Sequence, residues 1–182
     1  IDSKNAEALC NLGNLYYISG NLEEAKKCLE LSIKNKSDLD AAFNNLGLVN
    51  MAYGDFKSAK KNFINTLKIN PKNSKAHYNL SNLGNYKIEG KKHLNQLLLN
   101  LKLTTFEHEK MYYYFALGKV FEDKKNHKES FQYFKKGNLI KRKSFSYSIK
   151  EDKELYSNIK KIFNQNSILS FKNLGFNNDT PI

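Results

Sequence analysis

Two stretches of the chain repeat one another at a spacing of 34 residues, and this echo constrains the fold more than any other feature. Leu9, Leu12-Gly13, Tyr16, Gly20-Asn21, Ala25 and Leu29 recur as Phe43, Leu46-Gly47, Asn50, Gly54-Asp55, Ala59 and Phe63, every pair separated by 34. Apolar residues spaced by threes and fours predict helices. A fixed period of this length predicts stacked units, each burying its apolar face only against a neighbour. Glycine inside a helix costs about 1 kcal/mol relative to alanine. Gly13 and Gly47 therefore imply a compensating close approach of a second helix, with Ala25 and Ala59 as its small facing surface. Gly20-Asn21 and Gly54-Asp55 read as a left-handed helix stop followed by an N-cap, with Glu23 and Glu24 in the first turn of the next helix.

The phrase large-x-x-Leu-Gly-x-x-large, then Ala-x-x-x-large, then Pro71, resembles the tetratricopeptide repeat (TPR), two antiparallel helices per unit. The resemblance implies an all-α, right-handed TPR superhelix (α-solenoid) of about four helix pairs plus a C-terminal capping helix. Repeats are expected near residues 6–39, 40–73, 74–103 and 104–145, the third irregular. Residues 1–5 read as the end of a truncated preceding repeat, because Ile1-Asp2-Ser3-Lys4-Asn5 parallels Ile69-Asn70-Pro71-Lys72-Asn73. Leu9, Leu12 and Tyr16 are accordingly expected to be partly uncovered. In the third repeat the alanine position is His93, and Leu94, Leu97, Leu98 and Leu101 form a helical stripe docked differently. Thr104-x-x-Glu107 predicts a capping box. The phrase then returns with Tyr114, Leu117-Gly118, Phe121 and Ser130-x-x-x-Phe134, and Gly137 marks another small position. Ser148-x-x-Glu151 predicts the start of the capping helix, residues 146–163, striped by Leu155, Ile159, Ile162 and Phe163; residues 164–182 read as a linker toward an absent C-terminal domain.

Composition narrows the function classes. With 40% hydrophobic residues and two prolines, the chain suits stacked helices and not disorder. No apolar run reaches the roughly 18 residues of a membrane span. The net charge of +12 comes from lysines spread along helix faces. Only Lys135-Lys136 and Lys141-Arg142-Lys143 cluster, so solvated faces are favoured over nucleic acid. Cys10 and Cys28 read as small half-buried thiols in a reducing, cytoplasmic setting. His77, His93, His108 and His127 lack metal-ligand spacing, so no metal is expected. Phosphate loops, nucleophile elbows and paired catalytic carboxylates are not found, so this chain is not expected to be an enzyme. Asp38, Asp40, Glu122 and Asp123 read as helix-end and surface charges.

In a TPR the first helix of each pair lines a groove. Asn11, Asn45 and Asn79 recur there in phase, each followed by Leu, until repeat four substitutes Ala116. A row of amides can bond the backbone of an extended polypeptide without reading its side chains. The series resembles the asparagine ladder of the O-GlcNAc transferase superhelix, and with Asn14 and Asn82 it forms the candidate peptide-binding set. The alternative is that asparagine is common in this chain and tolerated on an exposed face. Asn14, Asn45 and Lys75 also fall at positions of the carboxylate clamp of chaperone-binding TPRs. Cys10 and Asn79 stand where that clamp carries basic residues, leaving too little charge for it.

Phe115-Ala-Leu-Gly-Lys119, Phe121-Glu-Asp123, Phe131 to Phe134, Gly137-Asn138 and Lys141-Arg142 resemble the last repeat of bacterial TPR proteins with a C-terminal sulfotransferase. The ending Gly175-Phe-Asn-Asn-Asp-Thr-Pro181-Ile182 is similar too. The resemblance implies an absent domain using the sulfate donor PAPS, with the solenoid presenting an acceptor; no cofactor-binding residue falls in this chain. A purely structural scaffold, a homodimer and the recruiting arm of a glycosyltransferase are the competing readings.

Overall fold

The computed structural model describes residues 5–84, 90–145 and 149–163. Among them are nine α-helices and no strand: α1 (Ala6–Ile18), α2 (Leu22–Asn35), α3 (Asp40–Ala52), α4 (Phe56–Ile69), α5 (Ser74–Asn82), α6 (Gly90–Leu103), α7 (Glu107–Asp123), α8 (His127–Lys143) and α9 (Ile149–Ile162). No described helix is long and apolar enough to cross a membrane. The first eight helices lie in one compact unit, an all-α TPR solenoid in which α1 pairs with α2, α3 with α4 and α7 with α8. α9 belongs to a second unit, residues 144–182, and carries Leu155, Ile159 and Ile162 along one stripe. Ser148, residues 1–4 and the segment 164–182 lie outside the described residues.

Turn chemistry follows the sequence signals. Gly20 and Gly54 have φ of 82° and 77°, a left-handed conformation that costs glycine nothing. Asn21 and Asp55 then cap the next helices, their side chains accepting from the backbone N–H of Glu24 and Ser58.

Helix pairing departs from expectation in one detail. A Cβ on Gly13 would lie 2.7 Å from Leu29 Cγ, and one on Gly118 would lie 2.7 Å from Phe134 Cδ1. A Cβ on Gly47 would enter the Phe63 ring. The glycine therefore receives chiefly the side chain of the large residue four positions after the alanine; at Gly13 the Ala25 carbonyl also approaches, to 3.2 Å, and Ala25 and Ala59 are fully buried. At the C-terminal end, Gly137 receives the ring of Phe115 in the same way.

A periodic polar contact accompanies this packing. Buried Ser32 donates its hydroxyl to the Ala6 carbonyl at 2.6 Å, and Thr66, 34 residues later, shares its hydroxyl between the Asn62 carbonyl of its own helix at 3.1 Å and the Asp40 carbonyl at 3.4 Å. The facing helix thereby offers a carbonyl to a fully buried hydroxyl that would otherwise be costly to bury.

Repeat three keeps the register and changes the chemistry. Leu97 is fully buried at the position of Leu29 and Phe63. His77 replaces the apolar Leu9 and Phe43, His93 replaces the alanine, and Ser81 replaces the glycine. Here α6 packs on α7, which also lies along α5.

Repeat four begins late. Gly118 follows Ser81 by 37 residues instead of 34, and α7 has 17 residues against 13 in α1 and α3. The surplus is an extra N-terminal turn, residues 107–110. It also overturns the expected capping box: the N-cap is Phe106, without a side-chain bond, and Thr104 donates its hydroxyl to the Glu109 carboxylate instead.

Two exposure expectations need correction. Leu9 is only 6% exposed, because α2 and α3 pack on α1, whereas Leu12 and Tyr16 are half-buried. Cys10 is buried, and burial pushes its thiol pKa up; Cys28 is half-buried.

Gly47→Ala should destabilise the chain by about 1–3 kcal/mol despite alanine's better helix propensity, because the new methyl group overpacks the Phe63 ring. Urea denaturation followed by helical circular dichroism measures it. A neutral or stabilising result would mean that glycine does not set the helix spacing.

Candidate amide-lined groove

First helices and one connecting loop surround a groove of about 700 Å³. α1 contributes Asn14, α3 contributes Ala41, Asn44 and Asn45, and α5 contributes Ser74 and Lys75. Asn70, Lys72 and Asn73 come from the α4–α5 loop, and the extra turn of α7 adds His108 and Glu109.

The loop is fastened from three sides. Asn70 and Asn73 both donate to Asp40 Oδ2, at 2.8 and 2.9 Å, tying the loop to the first turn of α3. Asn73 also caps α5 by accepting from the Ala76 N–H. The Pro71 carbonyl accepts from His77 Nε2 at 2.9 Å, from Asn100 Nδ2 at 2.9 Å and from Gln96 Nε2 at 3.3 Å. Tyr113 donates its hydroxyl to the Lys72 carbonyl at 2.6 Å. Burial, together with the charge of Glu109, pushes this phenol up to about 12, so it stays a donor at neutral pH.

The predicted asparagines divide by location. Asn14 and Asn45 line the groove and are half-buried. Asn11 and Asn82 are exposed and outside its lining. Asn79 is only 9% exposed and donates to Asn44 Oδ1 at 3.1 Å. Asn45 likewise reaches back, donating to Cys10 Sγ at 3.6 Å. Both bonds join residues 35 apart, so successive first helices meet one position out of phase with the repeat.

Sequence reasoning missed Asn44, Asn70, Lys72, Asn73, His108 and Glu109 as groove residues. The Asn44-Asn45 doublet and the asparagines flanking Pro71 were the available signals. Lys75, read from the sequence as a clamp position, does line the groove.

Behind the loop sits a buried histidine pair. His77 Nδ1 lies 2.7 Å from His93 Nε2, with the rings stacked at 4.9 Å between centroids. The carbonyl of Pro71 can only accept, so His77 Nε2 carries a proton. Neutral His77 then accepts at Nδ1, and His93 donates from Nε2. Burial lowers both rings from the ordinary histidine value, and burial together with the His77 neighbour takes His93 to about 3. Among the described residues, no group of three or more His, Cys, Asp or Glu could hold a metal.

Comparison with known proteins agrees with the helix-pair architecture. Tetratricopeptide repeat family models match residues 6–38 and 112–144. The crystal structure of MamA is similar, with 22% identity, a TM-score of 0.57 and coverage of 80% of this chain and 84% of that one. PilF of Pseudomonas aeruginosa is similar at 21% identity and a TM-score of 0.64, over 76% of this chain and 62% of that one. No curated protein matches the sequence. These likenesses establish the fold; an all-helical TPR fold of this kind is typical of non-catalytic interaction modules.

The histidine pair makes stability depend on acid. The folded pair is neutral, whereas the unfolded chain takes up protons as pH falls below the ordinary value of 6.5, so stability should decline from there toward about pH 3. Between pH 7 and pH 5 the loss attributable to His93 should be about 2 kcal/mol. His77→Phe combined with His93→Ala, which restores the residue classes of repeats one and two, should remove most of that slope in urea titrations at the two pH values. An unchanged slope would mean the pair is already protonated in the folded state.

Proposed function

We propose that the chain is a protein-interaction module that binds an extended polypeptide along the amide-lined groove. TPRs mediate protein–protein interaction, and the observation carrying the reading is that Asn14 of α1 and Asn45 of α3 face one groove together with Lys75 of α5. Amides at successive steps match the alternating N–H and C=O groups of an extended chain, giving sequence-tolerant affinity. Asn11, Asn79 and Asn82 contribute by extending or bracing the row: Asn11 and Asn82 are exposed, and Asn79 holds Asn44 in place.

The proposal extends to presentation of a polypeptide acceptor to a PAPS-dependent sulfotransferase domain. Its support is the resemblance of the segment from Phe115 to Arg142 to the last repeat of such proteins. If the codons after Ile182 lack a strand followed by a Ser/Thr-rich phosphate loop, this extension fails while the interaction module stands.

Asn14→Ala with Asn45→Ala should weaken binding of short fluorescein-labelled peptides by roughly thirtyfold in fluorescence anisotropy, from the loss of one hydrogen bond worth about 1 kcal/mol at each position. Binding of uncharged peptides should also be nearly indifferent to salt, whereas nucleic acid would show a log-log slope of about −0.9 per phosphate neutralised. Undiminished peptide binding in the double variant would remove the groove from the account.

A further inference from the structure

A second cavity, about 210 Å³, opens beside the groove and shares Lys72 and Glu109 with it. Its walls are the end of α6, the α6–α7 connection and the extra turn of α7, so it is built by the same register change that makes repeat four start late. The polar groups lining it are largely engaged already. Thr104 donates to Glu109, Asn100 donates to the Pro71 carbonyl, and Tyr113 donates to the Lys72 carbonyl. The apolar part of the walls comes from Leu103 and Phe106, which are 58% and 69% exposed, while Tyr113 is buried and Lys72 and Thr105 keep the rest of the lining polar. Large apolar side chains flanking a recess are where a ligand gains most from burial.

Resting on the groove reading, we infer that this cavity is a side-chain subsite that selects a large apolar residue, Leu or Phe, in the bound polypeptide. The backbone of that polypeptide crosses the amide groove, and one side chain turns past Lys72 to fit between Leu103 and Phe106. Lys72 lines both spaces, and Lys75 lines the groove. Glu109 is the single carboxylate lining either space. Two lysines against one carboxylate favour an acidic residue next to the apolar one.

The probes are short labelled Ser/Gly peptides carrying a central Asp-Leu, Asp-Phe, Asp-Ala or Asn-Leu pair. The Leu and Phe peptides should bind at least tenfold more tightly than the Ala peptide, and Asp-Leu more tightly than Asn-Leu at low salt. Phe106→Ser and Leu103→Ser, both at exposed positions, should each bring the Leu/Ala ratio toward one while leaving the Ala peptide's affinity unchanged and without lowering the thermal midpoint, since serine at the N-cap position of Phe106 favours α7. If the parent protein binds the Leu and Ala peptides equally, or if both serine variants keep the ratio, the subsite is refuted and the groove reading survives. If no peptide binds at all, both fall. If binding is lost only in the Asn14→Ala, Asn45→Ala variant and the serine variants keep the ratio, the amide row alone carries recognition.

Discussion

Each regular helix pair in this protein closes on a single contact, a large side chain of the second helix seated on the first helix where glycine has no Cβ. Leu29 on Gly13, Phe63 on Gly47 and Phe134 on Gly118 are the three instances. That contact fixes the spacing of the axes, and the other interactions require that spacing. Ser32 and Thr66 can reach the opening carbonyls of the facing helices only because the backbones are this close. The alanines that precede the large residues are fully buried for the same reason. Burying Phe63 completely is worth roughly 1.5–3 kcal/mol. This more than offsets the helix-propensity cost of the glycine that admits it.

Repeat three lacks the glycine, and its solution ties stability to the groove. With Ser81 in place of glycine and histidines in place of an apolar residue and an alanine, the interior there is polar and must be hydrogen-bonded to be tolerated. The pair achieves this with its two rings bonded to one another and to the Pro71 carbonyl. Ser81 in turn donates its hydroxyl to the His77 carbonyl at 2.8 Å. Pro71 lies in the loop that supplies Lys72 and Asn73 to the groove, so the network that makes this core acceptable also sets the position of one groove wall.

Local signals at this period were legible because each has a short-range cause. Gly20 and Gly54 are left-handed, Asn21 and Asp55 cap, and Leu97 occupies its register position even though the helix around it docks on a different neighbour. What could not be read depends on tertiary geometry. Thr104-x-x-Glu107 fits a capping box by spacing, but the helix begins at Glu107, and the hydroxyl finds the nearer Glu109 carboxylate. The histidines read as scattered because they lie 16 residues apart in the chain, and only the tertiary fold brings them to 2.7 Å. The pairing of glycine with the large residue, not with the alanine, depends on how far along the second helix the axes cross, which periodicity alone does not specify.

The asparagine row shows how one residue type at one repeat position is left accessible in one helix and drawn in by the next. Residues spaced by 34 are equivalent in the sequence, yet the side-chain bonds between neighbouring first helices join residues 35 apart, Cys10 with Asn45 and Asn44 with Asn79. An asparagine at the in-phase position therefore has a partner on the preceding helix whenever that helix offers an acceptor one position earlier. Where the acceptor is the weak thiol sulfur of Cys10, at 3.6 Å, Asn45 remains half-buried and faces the groove. Where it is the Asn44 carbonyl oxygen, at 3.1 Å, Asn79 is drawn in and covered. Each amide's availability to a ligand is thus set by the residue preceding its equivalent in the repeat before. Charge enters at the far end, where the extra turn of α7 adds Glu109 to a lining that also holds Lys72 of the Pro71 loop and Lys75 of α5, and gives an otherwise uniform amide surface a direction.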